Sequence, residues 1–131
     1  MFESAEIGHA VPKSTSEKEV PKLRAALLDA QTRVLERAEF PVILLSGGVD
    51  GGGRGEVVNL LLEWMDPRHI QAHAMGEPSD EELARPPMWR FWRVLPPKGQ
   101  TGIFFGSWYT APIVDRVYER IRGAELSRQL A

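Results

Sequence analysis

The sequence of 131 residues predicts an α/β fold with a parallel sheet and flanking helices. Three short apolar runs, at 42–45, 69–75 and 101–105, alternate with stretches of helical periodicity, and this alternation is typical of a parallel sheet. A glycine-rich segment also joins the first apolar run to a helical stretch, because six of the 12 glycines lie between Gly47 and Gly55. The chain length predicts a single domain.

The N-terminal part is predicted to be an arm at residues 1–15, followed by a helix that opens the domain at 16–131. Ser16 and Glu19 have the spacing of a helix capping box. Pro21 indicates that the regular helix begins near it, since proline is tolerated in the first turn of a helix. Apolar residues then recur at helical spacing up to the first strand.

The middle of the chain is predicted to contain a helix, a second strand and a helical insertion. The helix runs from Arg54 to Met65, because the next residue precedes a proline and therefore disfavours the α region. Residues 77–98 form the insertion, which is lid-like and starts with a second capping box at Ser79. Within it, residues 88–95 are predicted to be helical and are rich in aromatic side chains.

The C-terminal part is predicted to be one helix with Pro112 at its first position. Its apolar face contains Val114, Val117, Tyr118 and Ile121. Only about three strands are visible, so the predicted sheet is incomplete and has apolar edges. We therefore expect the chain to belong to a longer protein or to pair with another copy as a homo-oligomer.

Composition excludes several classes of partner. The formal charge is −2, from 16 basic and 18 acidic residues, so no global electrostatic attraction to nucleic acid or to an anionic membrane is expected. The sequence has no cysteine, which excludes disulfides and thiolate chemistry. We see no secretion signal and no apolar run of the ~20 residues that span a bilayer. The expected location is the cytoplasm.

The glycine-rich segment has the spacing of a phosphate-binding loop (P-loop), G-x-x-x-x-G-K-[ST]. Arg54 stands in the lysine position, and Gly55 stands in the position of the hydroxyl that binds Mg²⁺. A tight structural turn is the alternative. Asp50 could hold a metal or simply form the turn. The phosphate-binding candidates are Gly48, Asp50, Gly51, Gly52, Gly53, Arg54 and Gly55.

The end of the third strand lacks the acid that phosphoryl transfer requires. A carboxylate there would hold Mg²⁺, but the sequence continues Phe105-Gly106-Ser107-Trp108-Tyr109. We therefore expect no catalytic residues and no confident metal ligand in this chain.

A basic and aromatic cluster in the insertion provides the second group of candidates. Arg85, Arg90, Arg93 and Lys98 alternate with aromatic residues and could contact a polyanion. They could equally lie in solvent on a helix whose aromatic residues face the core. His69 and His73 are expected to be ordinary strand residues.

Two segments, GVDGGGRGE and PSDEELARPPMWRFWRVLPPKGQTGIFFGSWY, resemble the polyphosphate kinase 2 family. Members of this family are P-loop kinases that move phosphoryl groups between polyphosphate and nucleotides with Mg²⁺. The segments MFESAEIGH and EWMDPR are similar more narrowly to the N-terminal half of the two-domain members, the polyphosphate:AMP phosphotransferases. The resemblance implies a P-loop kinase-like fold with a helical lid.

The family motifs match only in part. In the loop motif G-x-D-x-x-G-K-G, arginine at position 54 replaces the lysine. In the motif F-D-R-S-W-Y-N-R, the residues that match are Phe104, Ser107, Trp108 and Tyr109, and the residues that differ are Phe105, Gly106, Thr110 and Ala111.

These differences imply a domain that is structural or anion-binding, beside a separate catalytic P-loop domain. The alternative is a stand-alone pseudokinase that binds polyphosphate or a nucleotide.

Overall fold

The computed structural model describes residues 10–48 and 51–130. The strands are β1 (Val42–Ser46), β2 (Ile70–Ala74) and β3 (Thr101–Phe105). The helices are α1 (Lys13–Arg37), α2 (Arg54–Trp64), α3 (Asp80–Leu83), α4 (Trp89–Trp92), α5 (Thr110–Val117) and α6 (Gly123–Leu130). All three predicted strands and the predicted span of α2 are confirmed, and a short 3₁₀ helix (Pro67–His69) precedes β2.

The three strands form one parallel sheet in the order β1-β3-β2, which confirms the predicted fold class. The central strand β3 is buried from Thr101 to Phe104, because it has a neighbour on each side and packing on both faces. Leu45, Phe104 and His73 are register partners and therefore share one face of the sheet. Phe104 is fully buried at the centre of that face.

Helices cover both faces of the sheet. The chain moves across the sheet from β1 at one edge to β2 at the other, and then returns to β3 in the centre. The two connections therefore run in opposite directions across the sheet. Right-handed crossovers then place α2, in the first connection, and α4, in the second, on opposite faces. On the α4 face, Phe91 meets Trp108 edge-on with ring centroids 5.7 Å apart. Trp108 in turn lies 6.3 Å from the ring of Phe104. This aromatic cluster attaches the insertion to the sheet.

The first helix begins earlier than the sequence predicts. It starts at Lys13, after an N-cap at Pro12, so Ser16 lies inside the helix and the expected cap there is wrong. Pro21 also lies inside α1 and not in its first turn. Proline removes one internal hydrogen bond. Because Pro21 is on the exposed side, water can reach the carbonyl group that loses its partner. Of the predicted arm, residues 1–9 lie outside the described residues.

A buried glutamine joins α1 to the end of α2. Gln31 is only 6% exposed, and its Nε2 donates to the carbonyl of Asp66 at 2.9 Å. Its Oε1 accepts from the Asp66 amide at 2.7 Å. The side chain of Asp66 is held separately by Arg68, and the hydrogen bond from that guanidinium lowers the pKa of Asp66 to about 2. Arg24 of α1 also donates to the Glu63 carbonyl of α2 at 3.2 Å, so Gln31 provides the part-buried and Arg24 the exposed attachment of this helix pair.

Replacing Gln31 with leucine should destabilise the chain. Both backbone groups of Asp66 would lose their partner at a partly buried position, which costs about 1–3 kcal/mol. The measurement is the urea midpoint by circular dichroism. Thr32→Val is the matched control, because Thr32 is exposed and bonds only to Leu28 in its own helix. Equal midpoints for the two variants would contradict the role of Gln31.

Two predicted helices are wrong in extent. Residues 88–95 contain a single helical turn, α4, because the two prolines that follow exclude the α region just before them. The predicted last helix is divided into α5 and α6, since Glu119 adopts a positive φ of 57° that reverses the chain. Pro112 is the third residue of α5 and not the first, which is still within the turn whose N–H groups lack helical partners.

The sheet has two free edges within the described residues, since β1 and β2 each pair only with β3. On β1, Leu45 is 39% exposed, although its register partner Phe104 is fully buried. None of the described helices combines the length and the apolar character that crossing a bilayer requires.

Candidate functional site

A groove of about 500 Å³ lies where the carboxyl ends of β2 and β3 meet the N-terminus of α2. In parallel α/β sheets, ligands commonly bind outside this edge. One wall is the glycine-rich segment, and the other is formed by the ends of the two strands. The lining residues are Gly51, Gly52, Gly53, Arg54, Gly55, Glu56, Ala74, Met75, Gly76, Phe105, Gly106 and Thr110.

Glycine is needed where the loop enters α2. Gly53 is the N-cap of the helix and has φ +78°, a conformation that L side chains rarely adopt. The start of α2 lines the groove and has no side-chain cap hydrogen bond. Backbone amides at a helix N-terminus can donate to an anion. This geometry is the chemical basis of the predicted phosphate cradle.

The loop candidates do not all reach the groove. Residues 51–55 line it, whereas Gly48 lies beside the side chain of Arg54, whose Cδ would be 3.6 Å from a Cβ at that glycine. Asp50 lies outside the described residues. The aliphatic part of the Arg54 side chain thus lies beside Gly48 at the start of the loop, and Arg54 is among the residues that line the groove.

The opposite wall carries no charge at the positions where the family motif has charged groups. Phe105 and Gly106 end β3 in the groove, and Thr110 begins α5 beside them. The hydroxyl of Thr110 accepts a hydrogen bond from the Ser107 amide at 2.9 Å, so it caps this turn. The wall provides apolar surface and backbone, not ligands for a metal.

Glu56 is a groove residue that the sequence prediction missed. It is the third residue of α2, and its Oε2 lies 3.9 Å from where a Cβ on Gly53 would be. A carboxylate at a helix N-terminus is favoured by the helix dipole, which is the signal that could have identified it. Its charge partly opposes an anion in the same groove.

The described residues of the groove, which do not include Asp50, do not fit a Mg²⁺ site. Glu56 is the one carboxylate that lines the groove among the described residues. No group of three or more potential metal ligands occurs in the described part of the chain. Mg²⁺ in proteins is usually held by one or two carboxylates together with substrate phosphates, and the strand-end position that would supply a carboxylate is Phe105.

The basic cluster of the insertion is divided by the structure. Arg90 points inward: its guanidinium donates to the Gly76 carbonyl at 2.9 Å and lies 3.5 Å from Glu82. Arg85 and Arg93 lie over the ring of Trp89, at 5.3 and 4.6 Å from its centroid.

The two interpretations of this cluster therefore each describe part of it. Phe91 is in the core, but Trp92 is 57% exposed and Arg90 is mostly buried. Lys98 is exposed in the loop before β3. His73 lies on β2 as predicted, whereas His69 is in the 3₁₀ helix before it.

The fold and groove define the class: an α/β domain in which a glycine-rich loop joins the first strand to its helix beside an open groove of about 500 Å³. Comparison with known proteins then gives the family. The profile of the polyphosphate kinase 2 family matches residues 10–131. The chain belongs to this family, as its motifs predict.

The similar proteins carry consistent names. A polyphosphate:AMP phosphotransferase of Pseudomonas aeruginosa is 56% identical over 130 residues, which cover 99% of this chain and 26% of that protein. One of Pseudomonas syringae pv. tomato is 50% identical over 131 residues, covering 100% of this chain and 26% of that protein. A crystal structure described as polyphosphate kinase 2 from Pseudomonas aeruginosa superposes with a TM-score of 0.87 at 56% identity, covering 98% of this chain and 28% of that one. The chain spans about a quarter of the length of these relatives.

Proposed function

We propose that this chain is the N-terminal, phosphate-binding but non-transferring unit of a polyphosphate:AMP phosphotransferase-like protein. The whole protein would transfer phosphate from polyphosphate to AMP. The relatives' names and the quarter-length match support the parent activity. The observation that carries the non-transferring role is Phe105, which lines the groove at the strand-end position of the family's aspartate.

Phosphoryl transfer depends on positioning and on neutralising charge between donor and acceptor. The groove retains the amide cradle of Gly53 and a cation in Arg54. An arginine can pair with two phosphate oxygens but is a planar fork, unlike the compact charge of lysine. The family is expected to use Mg²⁺, but the described residues of this groove provide no matching ligand set.

The free edge of the sheet at β1 supports a partner that is another α/β domain. β1 pairs on one side only, and its exposed apolar residue Leu45 would be covered by a further strand. A catalytic P-loop domain of the longer protein is the proposed partner, and a second copy of the chain is the alternative.

A stand-alone module that binds polyphosphate or a nucleotide is the second candidate function. The open groove of about 500 Å³ favours it, because a purely structural turn needs no such space. The two candidates differ in whether binding occurs without the rest of the protein.

The test combines calorimetry with polyphosphate and an assay with polyphosphate, Mg²⁺ and AMP or ADP. We expect binding that weakens with salt, because a polyanion releases counterions. Arg54→Gln should weaken it about tenfold, since one charged contact is lost. Arg37→Gln, at the far end of α1, is the control of equal charge. We expect no turnover, and turnover that Arg54→Ala abolishes would refute the non-transferring role.

A further inference from the structure

A second cavity of about 350 Å³ lies beside the groove, between β2 and the insertion. It shares Ala74 and Met75 with the groove but is lined by different polar side chains. These are His73 from β2, Glu82 from α3, Arg90 from α4, and Arg93 at the C-cap of α4. The phosphate cradle does not use any of them.

One buried nitrogen atom of this cavity lining lacks a partner. His73 Nε2 has no hydrogen-bond partner among the described residues, whereas Arg90 Nε makes no regular hydrogen bond but lies 3.5 Å from Oε1 of Glu82 as an ion pair. Buried polar groups are nearly always satisfied, and leaving one unsatisfied is costly. The ring of His73 packs against Phe104 with centroids 5.3 Å apart, and Arg90 is fixed by its bond to Gly76. The Glu82 carboxylate faces Arg90 Nε, so His73 Nε2 is the nitrogen that the described residues leave without a partner.

The cavity carries an excess of positive charge. Glu82 offsets Arg90, since their nearest atoms are 3.5 Å apart, and its other oxygen accepts from the Ser79 amide at 2.8 Å. Arg93 has no carboxylate partner among the described residues and lies over Trp89 instead. The unmatched charge therefore belongs to Arg93, which lines a cavity that contains one unpartnered nitrogen, His73 Nε2.

We propose that this cavity binds a compact oxyanion such as a phosphate group. His73 Nε2 donates to one of its oxygens and Arg93 supplies the compensating charge, while Arg90 stays paired with Glu82. Cationic donors form short, strong hydrogen bonds to oxyanions. The proposal goes beyond the function of the glycine loop and does not require Arg54. It also explains why the imidazole of an apparently ordinary strand residue faces a polar cavity.

The test follows the imidazole resonances of the chain by NMR while orthophosphate is added at constant pH and ionic strength. The signal of His73 is identified by its loss in His73→Gln. We expect a saturable shift of this signal and a smaller response from the other histidines. Sulfate should produce a similar shift, and so should AMP. A response to AMP alone would overturn the proposal, because it would indicate recognition of the nucleoside.

Arg93→Gln and Arg85→Gln form a matched pair. Both arginines lie over Trp89 and are solvent-exposed, but only Arg93 lines the cavity. Arg93→Gln should weaken the His73 response by roughly fivefold or more, since a direct charge partner is lost. Arg85→Gln should leave it unchanged. Equal effects of the two substitutions, or no shift of His73 in the unmodified chain, would overturn the proposal and leave bridging water as the occupant.

Arg54→Gln separates this site from the groove. If the oxyanion site is independent, this substitution weakens polyphosphate binding but leaves the response of His73 to orthophosphate intact. Loss of both signals would place the anion in the groove and overturn the second site. Loss of polyphosphate binding in the unmodified chain, with the His73 shift retained, would count against the proposed function only.

Discussion

Phe104→Ala should lose about 3–5 kcal/mol of unfolding free energy, since removing a buried phenylalanine leaves a cavity that the surroundings fill only in part. Phe104 has no exposed surface and lies at the centre of the central strand. Its ring contacts His73 on β2 and Trp108 beyond β3, so the cavity would weaken both neighbours. A loss of this size is a large share of the stability of a small domain. Urea denaturation followed by circular dichroism measures it.

Phe105→Ala is the matched control, because it removes the same side chain from the next residue. Phe105 is only half-buried and lines the groove. We expect it to cost less than half as much, since burial of its ring is incomplete. Equal losses of unfolding free energy from the two variants would contradict the structure, in which Phe104 faces the core and Phe105 faces the groove.

Gly102→Val is expected to destabilise the chain by about 1–3 kcal/mol or more, because the interior has no room for the added side chain. A Cβ at Gly102 would lie 2.9 Å from Cδ of Pro96 and 3.1 Å from a ring carbon of Phe104. Pro96 is buried, and the prolines fix the path from the insertion into β3. Valine has a higher strand propensity than glycine, so propensity alone would predict that Gly102→Val stabilises β3. A loss of stability would therefore show that the steric clash outweighs propensity.

The control for this prediction is Gly76→Ala, measured in the same way. A Cβ at Gly76 would meet no atom within 4 Å, and its φ is not positive. We expect a change within about 0.5 kcal/mol, as for most surface substitutions. If Gly102→Val proves as stable as the unmodified chain, Pro96 does not pack on β3 as described.

Much of the groove could be predicted from short stretches of consecutive residues. Strand, glycine loop and helix are consecutive, so the backbone conformation at Gly53 and the start of α2 could be predicted from the residues alone. The missing charge at Phe105 could also be predicted, because the end of a strand is a local feature. Glu56 was overlooked, although the reason for its position is equally local.

The second cavity could not be predicted in this way. His73 and Arg90 are separated by a turn and a helix, and only the packing of α4 on the sheet brings them to one cavity. The spacing of Arg90 and Arg93 indicated a shared face but not that one would turn inward to Glu82 and Gly76. Side-chain direction in a one-turn helix depends on what the helix packs against.

The sequence by itself determined the three strands, the glycine loop and the family, because each depends on neighbouring residues or on a contiguous motif. It also determined which charged groups are absent from the end of β3. Only the tertiary structure decided the order β1-β3-β2 and the inward turn of Arg90. These features arise from contacts between distant segments, and the free energy of such contacts outweighs the local preferences that a sequence pattern records.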